Sequence, residues 1–501
     1  MTPQMPHMVS DRTVGRPRSP IPVSRLPTIT AKKSVVSPDS PSDDRPLTPA
    51  EALFTRWIRF AGLGLVAVAL GTTLFQHGGF AHLGSADTVV DRGLETALRM
   101  TRMSSATILG FVVPGLALFL VPDKIARRPA LLAALFSIAV VTPMLMFHDI
   151  RGSGRTWEGD ARLYLRMADE WPWRPGGWFR FRVLAPWLAR KLAPPFDSTP
   201  TWLAASDGYW RLAAVSIAAT GPALSLLLRD LKFGTAARHL GVLLYLASFA
   251  TLYNSYNYAM PDPLAMLIVV LAARAIARGR DWELVIWFLV GALTKEIVLY
   301  LVPVRWLWGR ESGLGVRAAL RAGLVAAPAL LVFAWLRFQP QEAKAYTEFV
   351  TGSAWLFPWK HQPDNFARLY SPFAAGWALI ALSLRRPDRW TRAAVGFAIP
   401  CVLSLLITDA GRMLVYLTPF AIPAILRAAG ADERVSRRGL IAILLVCLSM
   451  RLWEPFVPLW QVPVLVRRPI ALVLALVCAG LVYRIAPSRT DANSPASDAY
   501  A

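Results

Sequence analysis

Apolar residues run down this chain in long blocks, with polar residues confined to shorter stretches between them. The blocks fall near 55–75, 104–121, 129–147, 209–228, 236–253, 262–278, 282–303, 316–337, 372–384, 391–408, 412–428, 439–453 and 463–483. Most approach the roughly 20 residues that carry an α-helix across a hydrocarbon core of ~30 Å. The pattern predicts an all-α protein, a polytopic transmembrane bundle of about 11–13 spans over 53–485. Two loops stand out, at 148–203 and 338–371.

Composition supports this class. Of 501 residues, 55% are apolar and 17% charged, and the mean hydropathy of +0.41 is far from that of soluble domains. Residues 1–52 are rich in Pro, Ser, Arg and Asp and read as a disordered cytoplasmic tail; 486–501 read as a second one. No cleavable signal peptide is evident, because the first apolar block starts some fifty residues in and is long enough to remain as a span. Cys401, Cys447 and Cys478 all fall within predicted spans, which argues against a disulfide framework.

The net charge of +22 sits in clusters between the blocks: Lys124, Arg127 and Arg128; Arg229, Lys232 and Arg238; Arg274, Arg278 and Arg280; Arg305, Arg310 and Arg317; Arg385, Arg386 and Arg389; Arg427, Arg434, Arg437 and Arg438. Short basic loops stay cytoplasmic, so the charge is a topology signal held against anionic membrane lipids rather than a nucleic-acid footprint. A cytoplasmic N-terminus places the 148–203 loop outside. If 282–303 simply crossed, every later basic loop would be inverted. Two short half-helices that enter and return, meeting near Thr294-Lys295-Glu296, restore the rule; charged residues at that depth face a cavity or a partner.

The polar island from Glu158 to Pro195 carries the chemistry. Asp160, Tyr164 and Met167 follow i, i+4, i+7 spacing and share one face of a helix that can lie along the membrane surface. Trp171, Trp173, Trp178, Phe179 and Phe181 suit the headgroup layer. Arg162, Arg166, Arg190 and Lys191 read as snorkelling side chains, while Asp160 suits either a helix N-cap or a reactive acid.

The order Asp160, Tyr164, Met167-Ala168, then Arg182-x-Leu184-x-Pro186-Trp187-Leu188 resembles the first large external loop of the polytopic C-type (GT-C) glycosyltransferases. Two later segments resemble the same superfamily: Gly291-Ala292-Leu293-Thr294-Lys295-Glu296, and Thr408-Asp409-Ala410-Gly411-Arg412 leading into a block with Pro419 and Pro423. Together they cover roughly 150–430. The resemblance implies sugar transfer from a polyprenyl-phosphate donor to a glycan, lipid or protein acceptor of the cell envelope, on the extracytoplasmic side. It maps the catalytic acid onto Asp160, a base for the acceptor hydroxyl. With no other targeting signal in the sequence, the expected setting is a bacterial inner membrane.

A lipid-phosphate leaving group needs fixed positive charge. Arg180, Arg182, Lys295 and Arg412 are the candidates, with snorkelling, a Lys295–Glu296 pair and an Arg412–Asp409 pair as the structural alternatives. Tyr164 and Asp262 complete the substrate-binding set. Asp262 follows Asn254, Tyr256, Asn257 and Tyr258, side chains able to hydrogen-bond a sugar; beside Pro263 it also suits a helix N-cap. In the 338–371 loop, Tyr346, Trp355, Trp359, Lys360, His361 and Asp364 suit either a sugar site or an interfacial belt.

The island departs from the superfamily pattern in lacking Asp-x-Asp. Glu158 and the Asp169-Glu170 pair flank Asp160 without requiring a divalent cation, and the histidines show no zinc spacing. The external loop follows the third predicted span, later than usual. The same features fit two further functions: a lipid-linked saccharide flippase or other multispan transporter, with Asp160, Lys295 and Glu296 as gating charges, or a surface-polysaccharide polymerase or ligase.

Overall fold

The computed structural model describes residue 56 and residues 128–150, 159–170, 182–193, 201–309, 315–337, 370–404, 413–432, 435–452 and 464–486, all within one compact unit, Pro46–Ala501. The predicted spans at 55–75 and 104–121, both tails and most of the 338–371 loop lie outside these residues.

Every regular element among the described residues is helical. In chain order they are α1 (Pro129–Ile150), α2 (Gly159–Asp169), α3 (Leu184–Leu192), α4 (Thr201–Asp230), α5 (Thr235–Ala247), α6 (Phe249–Tyr256), α7 (Asp262–Ala277) and α8 (Asp281–Thr294). A 3₁₀ turn at Glu296–Tyr300 leads to α9 (Leu301–Trp308), α10 (Val316–Arg337), α11 (Gly376–Arg385) and α12 (Arg389–Ser404). A second 3₁₀ turn, Val415–Leu417, precedes α13 (Thr418–Ala428), α14 (Arg437–Leu452) and α15 (Val464–Ile485).

The helices fall where the apolar blocks predict them, but fewer are uninterrupted crossings than the expected 11–13. Among the described residues two helices, Ala204–Asp230 and Val316–Leu336, are long and apolar enough to cross a membrane; α5 and α6, bent by 49°, make a third if counted as one span. Among the described residues three apolar blocks are broken, at Ser248, at Lys295 and before Thr418. These helices make the protein a membrane protein. The outer face of α10 fits that environment: Val316, Leu324, Leu331 and Trp335 are at least 70% exposed, a surface unsuited to water.

Helix α4 is the hub, packed against α1, α2, α3, α5, α6, α7 and α13. Its approach to α3 depends on Gly208, where a Cβ would lie 1.9 Å from the carbonyl oxygen of Ala189.

The segment 281–308 folds back on itself. Asp281, at the start of α8, accepts a hydrogen bond from Arg305 Nε of α9 at 2.8 Å; 24 residues of straight helix would hold them about 36 Å apart. Nearer the bend, a Cβ on Gly291 would meet Val298 Cβ at 2.5 Å. This is the interrupted hairpin expected at Thr294-Lys295-Glu296, with Lys295 extended at φ −165° and ψ 134°.

Among the described residues, arginines from several of the basic clusters are linked to one another's helices at one end of the bundle. Asp230 of α4 binds Arg274 of α7 at 2.8 Å and lies 3.9 Å from Arg278. Arg278 and Arg280 both reach Glu283 of α8, at 3.4 and 2.5 Å. Asp281, in the same turn, is also bound by Arg321 of α10. Arg389 donates to the carbonyl of Trp308 at the end of α9, and neighbouring Asp388 is held by Arg427 of α13. Arg427 lies 3.7 Å from Asp432, whose carbonyl accepts from Gly234 N–H at 2.8 Å, beside the end of α4. The links therefore close into a ring. Helix α8, 14 residues long, carries the hairpin tip about 21 Å away from that ring, some two-thirds of a hydrocarbon core ~30 Å thick.

Burial acts to raise the Asp281 carboxyl, but hydrogen bonds and charge from Arg305 and Arg321 outweigh it and hold the group below its ordinary value of 3.8. Asp388 is also held below 3.8: burial raises it, and Arg427 with the Thr391 and Trp390 donors lowers it further. A carboxylate depressed in the fold contributes stability that is whole above its unfolded value and is lost as pH falls through the folded one. Thermal unfolding in detergent is therefore expected to show stability declining as pH falls below about 3.8. Asp281→Asn should lose about 2 kcal/mol near neutral pH and show a shallower acid decline; an acid profile identical to wild type would disprove this role.

Candidate functional site

The break at Lys295 places two consecutive charged residues against different partners. Helix α8 ends at Thr294 and the 3₁₀ turn begins at Glu296. With Lys295 extended between them, neighbouring side chains leave the backbone on opposite sides.

Lys295 turns inward. Its Nζ donates to Asp262 Oδ1 at 2.6 Å, with the side chains 4% and 0% exposed. Tyr416 OH donates to the same oxygen at 2.8 Å, and Lys295 Nζ lies 3.3 Å from Tyr416 OH and 5.1 Å from the centre of its ring. Asp262 is the first residue of α7 and Pro261 holds the N-cap position, so Asp262 does not occupy the N-cap place its sequence suits; its carboxylate accepts from Lys295 and Tyr416. Lys295 is bound by a carboxylate, which opposes its expected role as a free phosphate ligand.

Glu296 turns toward the island. Arg182, just before α3, grips it with both edges of the guanidinium, Nη2 to Oε1 at 2.6 Å and Nε to Oε2 at 3.3 Å. The remaining arm, Nη1, donates to Tyr164 OH at 2.7 Å. Lys295 and Glu296 are therefore not each other's ion-pair partners in this arrangement; each neutralises a residue far away in sequence. Such pairing is what buried charge requires, because an isolated ion in an apolar interior costs several kcal/mol.

Asp160 lies in the first turn of α2, partly buried, one turn before Tyr164. The shared face expected for Asp160, Tyr164 and Met167 is present: Tyr164 and Met167 are fully buried and α2 packs on α4 and α3. Its outer side carries Arg166, bound to Glu170 at 2.8 Å and half exposed. Arg190 of α3 donates to the carbonyl of Asp169 at 3.0 Å, and Arg211 of α4 to that of Leu192 at 3.0 Å. Two of the island's arginines thus tie helix ends or surface carboxylates.

Of the predicted site residues, Tyr164, Arg182 and Glu296 join one hydrogen-bonded group, and Lys295 and Asp262 the other. The 295–296 peptide bond connects the two groups, with Asp160 one helical turn from the first. Arg180, Asp409 and Arg412 lie outside the described residues. Sequence reasoning missed Tyr416, whose only signal is a hydroxyl four residues beyond Arg412 in an apolar block. It also missed Tyr209 of α4, fully buried and within electrostatic reach of Tyr164.

These features define an α-helical membrane protein with two linked ion pairs at the tip of an interrupted hairpin. Comparison with known proteins assigns no family: no family model, curated protein or solved structure matches the chain.

Lys295→Met should leave Asp262 buried without its cation and destabilise the protein by ~3–5 kcal/mol, while Asp262→Leu combined with Lys295→Met should recover most of the loss. Unfolding in detergent tests both; a double variant as unstable as the sum of its single substitutions would disprove the pairing.

Proposed function

We propose that the protein is an integral-membrane glycosyltransferase of the C-type kind, which moves a sugar from a polyprenyl-phosphate donor to a cell-envelope acceptor on the extracytoplasmic side of a bacterial inner membrane. The supporting observation is the Tyr164–Arg182–Glu296 connection, which joins the Asp160 helix to the hairpin tip. A carboxylate on a helix anchored in this way keeps its position relative to the bundle, as general base catalysis requires. The fold of the whole chain, on this proposal, is a polytopic bundle with its cytoplasmic loops at the ionic ring.

The reaction is a displacement at the sugar's anomeric carbon. Asp160 takes the proton of the acceptor hydroxyl, the acceptor oxygen bonds to the anomeric carbon, and the bond to the phosphate oxygen breaks with its electron pair leaving on the lipid phosphate. With Lys295 and Arg182 bound to carboxylates, these two residues position the site, and Arg180 and Arg412 are left as the phosphate-binding candidates. The donor, the acceptor and the surrounding lipids are the partners.

A flippase or other transporter is the second reading, favoured by the buried Lys295–Asp262 pair at a helix break, a place where transporters hold coupling and gating charges. Purified wild type and Asp160→Asn, tested with a panel of polyprenyl-phosphate sugars, separate the two. Asp160→Asn should lower transfer by ~10²–10⁴-fold with an unchanged Tm. Equal transfer by both proteins would remove Asp160 as the base, and product from neither would favour lipid flipping.

A further inference from the structure

Three late helices of the chain meet in a concentration of positive charge that no carboxylate answers. Helices α11, α14 and α15 contain no Asp or Glu. Among the described residues Arg385, Arg386, Arg437, Arg438 and Arg484 are exposed and form no ion pair. In the ring, by contrast, Arg274, Arg278, Arg305, Arg321 and Arg427 are each bound to an acid.

These free arginines lie in one layer. Arg385, the last residue of α11, donates from Nη2 to Tyr483 OH of α15 at 3.2 Å, and its guanidinium lies 5.7 Å from the centre of the same ring. That contact brings together the positions of Arg386 and Arg484, the residues that follow Arg385 and Tyr483. Asp388, just beyond, is bound by Arg427, so the contact lies at the ring end of the bundle. Arg437 and Arg438 open α14 at the same end: a Cβ on Gly439 would lie 2.3 Å from the carbonyl oxygen of Ala429, past the end of α13, and α14 packs along α15.

An apolar strip leads away from the arginines. Leu474, Val477, Leu481 and Arg484 follow i, i+3, i+7, i+10 spacing on α15, so they share one helix face, and all four are exposed. Leu384, next to Arg385, is exposed as well. From Leu474 to Arg484 the helix rises about 15 Å, half of a hydrocarbon core ~30 Å thick and so the depth of one lipid leaflet. We propose that the ends of α11 and α15 form a binding site for an anionic phospholipid, with its phosphate at Arg385, Arg386 and Arg484 and an acyl chain along Leu481, Val477 and Leu474. A guanidinium suits the phosphate because its planar fork makes two parallel N–H bonds to the oxygens. The strip selects a lipid over a free phosphate, which makes no contact with apolar side chains. The site requires the membrane setting alone and is independent of glycosyl transfer.

Thermal unfolding in nonionic detergent at a fixed physiological salt concentration tests the site, with phosphatidylglycerol, phosphatidylcholine and inorganic phosphate as probes. Wild type is compared with Arg386→Gln/Arg484→Gln and with Lys232→Gln/Arg317→Gln, which removes two exposed ring-end cations that lie on other segments and likewise form no ion pair. Phosphatidylglycerol should raise the wild-type Tm saturably; phosphatidylcholine and inorganic phosphate should not. Arg386→Gln/Arg484→Gln should weaken phosphatidylglycerol about tenfold or more, with a lipid-free Tm equal to that of wild type, because neither arginine has an acid to strand. Lys232→Gln/Arg317→Gln should keep the wild-type affinity. Should the double variant at α11 and α15 not fold, Arg484→Gln alone carries the test, with a loss of about fivefold. The proposal is overturned if phosphatidylcholine or inorganic phosphate acts as phosphatidylglycerol does, if the α11 and α15 variants keep full affinity, or if Lys232→Gln/Arg317→Gln loses as much.

Discussion

An ionised side chain inside an apolar helix bundle must find an opposite charge within bonding distance, and here Lys295 sets that demand for the whole site. Because its ammonium is 4% exposed, it needs Asp262 at hand, and Asp262 in turn fixes where α7 begins. The extended backbone at Lys295 then sends Glu296 to Arg182. Residues 164, 182, 262, 295, 296 and 416 come from five places in the chain, yet hydrogen bonds and one peptide bond connect them all. Helix packing brings these segments near one another, and neutralisation of charge selects which residues meet.

The two ends of the bundle use charge differently. At the ring, Arg229, Arg280 and Arg321 are about half exposed or more, and pairs of that kind add little stability singly. Their effect is to hold the ends of α4, α7, α8, α9, α10, α12 and α13 in one layer. At the hairpin tip Lys295 and Asp262 are 4% and 0% exposed and Arg182 and Glu296 9% and 26%, so removing Lys295 or Asp262 strands its partner away from water. The first arrangement tolerates change at single positions; the second does not.

This division bears on chemistry. Lys295 and Arg182 are each bound by a carboxylate, and through Arg182 helix α2 is joined to the hairpin tip.

Among the described residues the apolar blocks overlap the long helices, and 316–337 coincides with α10, whereas α4 begins at Thr201, well before its block at 209–228. The conflict between the basic loops and a straight 282–303 span was enough to locate the hairpin break, since a charged Lys-Glu step is expensive in mid-helix. Asp160, Tyr164, Arg182, Asp262, Lys295 and Glu296 were likewise legible as polar residues in unlikely surroundings. Their pairing was not. Sequence proximity suggests Lys295 with Glu296 and Asp262 with its own helix end, whereas the fold joins each to a residue 33 to 154 positions away. Composition and periodicity determine which residues an apolar layer will admit, but a hydrogen bond acts over about 3 Å. Only the tertiary packing of α2, α7, α8 and the turn at Tyr416 decides which admitted residues come that close.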